Sequence, residues 1–295
     1  MDIGRPERGI SYLWKRIIRI YPIYWVVIVL ILAKVFLLGN SETFIPESHY
    51  SWVASFLLLP QHSTANPGAN IGDLGAPIDF VAWTLEYEVI FYAFFLILIL
   101  NQRVGIFLGI IALVAHLFDP ATLIFPLSML KQPYLLIFAL GMGAAWISRR
   151  EFSRSTLLAA GSLGLMLVSL VSGVEIYRHV TDHVELTQLI LGAGFFLLIV
   201  ALVGLEKQGI VIGGHPVIQL IGAASYSIYL IHAPLLHLAV KTFSKFSYHA
   251  SLLPLLFMVL SVITVLIRIG VHQYIEQPLL GISKRLLGLK SATSS

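Results

Sequence analysis

Between Asp79 and Leu100 the chain reads DFVAWTLEYEVIFYAFFLILIL, an apolar stretch that nevertheless carries two carboxylates, Glu86 and Glu88, beside Trp83, Tyr87 and Tyr92. A helix needs about 20 predominantly apolar residues to cross a bilayer, and this stretch has them. A carboxylate at the centre of such a helix costs at least roughly 2.5–3.5 kcal/mol. No basic residue stands in the same stretch. Its acids must therefore line a wet cavity or find partners on other elements.

The surroundings of that helix are expected to be more helices. Charged residues make up 12% of the chain, against roughly 25% in a soluble domain, which points to a polytopic transmembrane bundle and an all-α fold. Apolar runs place spans at about 18–38, 80–100, 104–118, 133–148, 155–173, 187–205, 216–238 and 252–273, eight in all, of which 104–118 and 133–148 are short. Trp52 to Pro60 is too short to span. At 1.5 Å per residue it reaches about 14 Å, half the hydrocarbon thickness, so it reads as re-entrant or interfacial. The whole of 1–295 reads as one transmembrane domain, with 1–17 as a polar, basic leading segment rather than a secretory signal, and 281–295 as a tail.

Loop charges orient this bundle. With the N-terminus in the cytoplasm, thirteen Lys and Arg residues fall on the inner side and four in outer loops, with Lys34 and Arg268 inside spans. Cytoplasmic loops carry the excess of Lys and Arg, so both termini are expected in the cytoplasm of a cell-membrane protein. Counting Trp52–Pro60 as a span would put the basic loops around Arg149 and Lys284 outside. Cysteine is absent, which excludes disulfides, thiolate nucleophiles and Cys-ligated metals. His179 and His183 have a helical metal-ligand spacing but no third ligand, so no metal is expected. Nothing indicates nucleic acid as a partner.

Four constellations hold groups able to do chemistry. The first is Lys15-Arg16-Ile17-Ile18-Arg19 followed by IYPIYW at the inner mouth of the first span. Cations at i, i+3 and i+4 lie on neighbouring faces and suit either phosphates, including those of a nucleotide-like donor, or anionic lipid. The second is WTLEYE, in which Glu86 and Glu88 are about 200° apart on a helix and do not face one cavity. Glu88 shares a face with Thr84 and Tyr92 and is the interior carboxylate, either proton-handling or structural; Glu86 is expected to be solvated or paired near the outer surface.

The third constellation is ASYSIYLIHAPLLH, where Ser225, Tyr229 and His232 occupy one face. Counted from the outer ends of their helices, His232 and Glu88 come to similar depths. They are expected to meet there as a proton-handling pair or as a hydrogen-bonded fastening between helices. The fourth is Arg268, His272 and Glu276, spaced by four before Pro278. It forms either a basic funnel with Lys15–Arg19 or an ion-pair ladder at a helix end.

Taken together, these segments resemble membrane acyltransferase family 3, the carbohydrate and cell-envelope O-acyltransferases. KRIIRIYPIYW is similar to the family's arginine-rich segment, with Lys15 in place of the first of two arginines four apart. Lysine keeps the charge but loses the bidentate fork. WTLEYEVIFY resembles the family's Trp-Thr/Ser-Leu-x-x-Glu-x-x-Phe-Tyr, with Trp83, Glu88, Phe91 and Tyr92 in register. SYSIYLIHAPL and HQYIEQPL resemble its Ser-Tyr-x-Tyr-Leu-x-His-x-Pro helix and its closing Tyr-x-Glu-x-Pro segment. The four motifs stand in the family's order across residues 15–280.

The resemblance implies an integral membrane enzyme with no bound cofactor. It would take an acyl group, usually acetyl, from cytoplasmic acyl-CoA to a hydroxyl of a carbohydrate or envelope polymer. Lys15, Arg16, Arg19, Arg268 and His272 would then hold the CoA phosphates. Glu88 and His232 would be the catalytic groups, and Trp83, Tyr92, Ser225 and Tyr229 the cavity wall. The family's usual pattern has two further spans first, with a histidine taken as catalytic; no histidine precedes Lys15, so those spans are expected to be lacking here. A transporter or flippase of an envelope intermediate, and a non-catalytic degenerate acyltransferase partner, are the alternatives.

Overall fold

The computed structural model describes residues 6–38, 45–46, 48–61, 77–118, 129, 132–178, 184–211, 213–226, 228–230, 232 and a few positions between 258 and 281. Helices account for its regular structure, and no strand occurs among the described residues. In order they are α1 (Pro6–Leu38), α2 (His49–Leu57), α3 (Trp83–Leu100, entered through a 3₁₀ turn at Phe80–Ala82), α4 (Gln102–Phe118), α5 (Tyr134–Ile147), α6 (Arg154–Arg178), α7 (Val184–Lys207) and α8 (Pro216–Ala223).

Four of them are long and apolar enough to cross a membrane, over Gly9–Leu37, Trp83–Leu100, Arg154–Val174 and Leu186–Lys207. The expected short pair appears as α4 and α5, of 17 and 14 residues. The last two expected spans lie mostly outside the described residues. One boundary differs clearly from expectation: α1 begins at Pro6, so Lys15, Arg16 and Arg19 sit within a helix rather than ahead of one. Pro22 lies inside that helix.

The described residues form two compact units, 1–102 with 216–295, and 103–215. In the first, α1 presents Ile20, Ile23, Tyr24, Val27, Ile28 and Ile31 to a core completed by Leu58, Ile78, Ala82, Leu85 and Leu230. These α1 positions follow the i, i+3, i+4, i+7 spacing of one helix face. Helices α1 and α3 run antiparallel, with Gly9 against Leu96 and Leu100 and Tyr12 against Phe95 and Tyr92.

Helix α2 explains the short apolar run after α1. Ser48 caps its start, Oγ accepting the Ser51 N–H at 3.0 Å. Its end is the harder problem, because the last four carbonyls of a helix lack intrahelical donors, and in an apolar setting each must find one. All four do. The Ala54 carbonyl accepts from the N–H groups of Leu58, which adopts the left-handed conformation, and Leu59. Three side chains of α1 serve the rest: Tyr24 donates to the Ser55 carbonyl, Trp25 Nε1 to Phe56 at 2.9 Å, and Tyr21 to Leu57 at 2.8 Å. These donors stand near the middle of Gly9–Leu37, so the end of α2 lies at mid-height of an apolar helix long enough to span. That is the geometry of a re-entrant rather than an interfacial segment.

In the second unit, α6 and α7 pack antiparallel through small residues. A Cβ on Gly164 would stand 2.7 Å from the Gly194 carbonyl oxygen, and one on Gly204 2.5 Å from Leu157. Membrane helices associate through such close backbone approach because lipid supplies no hydrophobic drive between them. Gly209, at φ +85°, ends α7 in a conformation that side chains resist. An apolar groove of about 310 Å³ between α5 and α7 is lined by Ile137, Phe195 and Phe196 among others. It holds none of the candidate residues.

Candidate functional site

The polar groups of interest collect along α3 in the first unit, in three groups. Glu86 is fully buried, as are Ser51, Ser55 and Gln61. Its carboxylate accepts the Gln61 N–H at 3.1 Å and the Gln61 amide at 3.5 Å; that amide also reaches Ser55 Oγ at 3.4 Å, and Ser51 donates to its oxygen at 3.1 Å. The expectation of a solvated or surface-paired Glu86 is therefore corrected. It turns toward the chain leaving α2, and its negative charge is met by backbone and amide donors from a segment 25 residues away in sequence. Helical spacing predicts the separation from Glu88 but not which acid faces the core.

The second group gathers at the start of α3. Asp79 closes the 3₁₀ turn twice, its carbonyl accepting the Ala82 N–H at 2.9 Å and its Oδ1 the Val81 N–H at 3.4 Å. Burial pushes its carboxyl up to about 7. The Val81 carbonyl accepts from Thr84 at 3.1 Å and from Tyr229 at 3.0 Å, and the two hydroxyls also bond one another. Tyr229 then orients His232, three residues on: the rings lie 5.5 Å apart, and Nδ1 bonds the Tyr229 carbonyl. A carbonyl only accepts, so Nδ1 carries the proton. In the neutral ring Nε2 is left as the proton acceptor.

The third group lies further along α3. Tyr92 donates to Glu88. The Arg16 guanidinium sits 4.9 Å from the Tyr92 ring centre and 5.2 Å from that of Tyr12. Cation–π contacts of this kind strengthen when desolvated, and Arg16 is half-buried. Arg16 thus faces α3, whereas Lys15 and Arg19 are exposed. Three cations expected to act together are divided, one into the helix interface and two, at i, i+4, toward the exterior.

Glu88 and Tyr92 share a face, as their spacing requires, but Thr84 takes Tyr229 as its partner. Glu88 and His232, expected to meet, each have other partners. The segment holding them runs antiparallel to α3: Tyr226 reaches the Ile20 carbonyl of α1 at 3.4 Å, and Tyr229 reaches Val81. His232 continues past Val81, away from Glu88. Of the expected cavity wall, Trp83 is half-buried with its ring edge-on to Tyr87 at 6.3 Å, and Ser225 is exposed. Arg268 and His272 lie outside the described residues. Sequence reasoning passed over Asp79 and Gln61, although a lone Asp ahead of a helix start is itself a capping signal. Among the described residues no group of three His, Cys, Asp or Glu side chains is placed to hold a metal.

The long apolar helices and their inward-facing carboxylates define an integral membrane protein with polar groups built into its core. Residues 3–271 match the sequence profile of a family described as "Acyltransferase domain". The chain belongs to this family, acyltransferase family 3, and is an enzyme that transfers acyl groups. It is also 28% identical over 240 residues to the exopolysaccharide production protein ExoZ of Rhizobium meliloti (strain 1021), a match covering 77% of this chain and 68% of that protein. No solved structure matches it. Of the three readings left open by the sequence, the match favours the enzyme.

Proposed function

We propose that this protein transfers an acetyl group from acyl-CoA to a hydroxyl of a carbohydrate or envelope polymer within the cell membrane. The observation that carries the reading is the arrangement along α1 and α3 in a chain of the acyltransferase family. Exposed Lys15 and Arg19 stand at one end, and His232, with Nε2 as its proton acceptor, is held beside the start of α3. The name of the similar exopolysaccharide production protein supports a polysaccharide acceptor. Loop charges support an orientation with both termini, and hence Lys15 and Arg19, in the cytoplasm, where acyl-CoA is available.

In this reaction Lys15 and Arg19 bind the CoA phosphates as cations. His232 Nε2 takes the proton as the acceptor oxygen attacks the thioester carbonyl. The tetrahedral intermediate collapses, the carbon–sulfur bond breaks, and the proton passes to the departing CoA sulfur. An ester and free CoA result. Glu88, through Tyr92, fixes the aromatic clamp that holds Arg16, so the donor end of α1 and α3 keeps one geometry.

Membranes containing the full chain, supplied with radiolabelled acetyl-CoA, should transfer label to carbohydrate as an alkali-labile ester. Lys15→Ala with Arg19→Ala should raise the donor KM about tenfold or more, since charge-assisted phosphate contacts are worth about 1.5–3 kcal/mol each. Acetyl-CoA should also protect Lys15 from an amine-reactive reagent. Absence of both transfer and protection in the intact chain would overturn the reading.

A further inference from the structure

Asp79 poses a problem that capping does not solve. It is 1% exposed, and its Oδ2 has no hydrogen-bond partner among the described residues. Oδ1 alone caps the turn. Serine, threonine or asparagine would do that equally well without placing a carboxyl in the core. Buried polar atoms are satisfied in the great majority of cases, and an exception calls for a reason.

The bonds that leave Asp79 supply one. Its carboxyl holds the N–H of Val81, and the carbonyl of the same residue holds Tyr229 and Thr84. The carbonyl of Tyr229 holds His232 Nδ1. One continuous run of bonds therefore joins a buried carboxyl to the imidazole. We propose that Asp79 is a positioning residue for acyl transfer, setting the Tyr229–His232 arm through Val81 with a strength that depends on its own charge. This rests on the reading of His232 as the proton acceptor.

A charged carboxylate accepts a shorter and stronger bond than a neutral acid. Ionised Asp79 thus pins Val81 and keeps Tyr229 and His232 in place; protonation loosens the turn. The groups that set its ionisation are at hand. Tyr24 of α1 lies in the field of both Asp79 and Glu86, and Glu86 is the other buried acid of this core. Across Val81 stand the Tyr229 hydroxyl and His232. Burial raises the Asp79 carboxyl into the range where cells hold their pH.

The test compares Asp79→Asn and Asp79→Ser, which keep a cap without a charge, in full-length protein reconstituted in lipid nanodiscs. At pH 8 each should lower kcat about 10- to 100-fold, the loss expected from a small misplacement of a reacting group, with the KM for acetyl-CoA unchanged. Wild-type kcat should fall below neutrality with two-proton steepness, from Asp79 and His232, and the variants with one. Nitrogen NMR of histidine-labelled protein, with His232 assigned through His232→Gln, should show its Nδ1 signal displaced in both variants without any substrate. A cap-only role predicts wild-type kcat and an unmoved His232 signal, and either result overturns the proposal. If wild type transfers no acetyl group, the functional reading fails, and the NMR signal still decides the Asp79–His232 linkage.

Discussion

Replacing Asp79 by Asn should change how stability depends on pH, by an amount the structure fixes. Burial raises the carboxyl from 3.8 to about 7. Between those values the folded chain holds a proton that the unfolded chain has released. Stability therefore falls as pH rises through this window, is highest below about pH 4, and levels off above about pH 7. This is the reverse of the usual salt-bridged aspartate. At about 1.4 kcal/mol per pKa unit the full loss is ~4 kcal/mol, of which roughly 2–3 kcal/mol falls between pH 5 and pH 8. Asparagine has nearly the same shape and does not titrate. Whatever fixed cost its amide carries, the stability of Asp79→Asn relative to wild type should rise by roughly 2–3 kcal/mol from pH 5 to pH 8. Denaturation in mixed micelles, followed by far-ultraviolet circular dichroism, measures the difference at each pH, and every other titrating group cancels between the two proteins. A difference that does not vary with pH would refute the buried-charge argument. A difference that falls with pH would show the carboxylate paired with a cation.

Other outcomes follow from the same contacts. Tyr24→Phe removes the donor to a carbonyl at the end of α2 from a fully buried position and should destabilise the chain by about 1–3 kcal/mol; Tyr21→Phe, at an exposed bond, should cost under about 1 kcal/mol in the same assay. Gly164→Leu forces a side chain against the Gly194 carbonyl and should open α6–α7 to proteolysis, whereas Gly173→Ala, with no atom within 4 Å of its new Cβ, should not.

The parts of the fold that periodicity controls were legible: the apolar helices, the short nine-residue helix after α1, and the break at Asn101 between α3 and α4. Residue type alone could not assign the acids. Glu86 and Glu88 differ by two positions in the same apolar run. What separates them is Gln61, 25 residues earlier, whose N–H and amide choose Glu86, and Arg16, whose place against Tyr92 leaves Glu88 on the α1 side. The IYPIYW segment is a similar case. Its aromatics looked like part of a binding motif, and three of them serve as donors that let a helix end inside an apolar core. Long-range donor–acceptor choices of this kind leave no periodic trace.

The separation of Glu88 from His232 bears on how transfer is organised. Glu88 lies four residues beyond Thr84 on α3, about 6 Å along the axis, and His232 three residues beyond Tyr229 in the opposite direction, about 4.5 Å. Because Thr84 and Tyr229 are bonded to each other, the two candidates are about 10 Å apart in height. They cannot share a proton directly. A division of labour fits this better than a dyad. Glu88, Tyr92, Tyr12 and Arg16 hold the donor end of the site, and Tyr229 and His232 serve the acceptor end. On the proposed reading, Glu88→Gln should therefore weaken donor affinity while keeping the pH profile of kcat, and His232→Gln should abolish kcat while sparing donor affinity. Equal effects of the two substitutions on both quantities would restore the dyad.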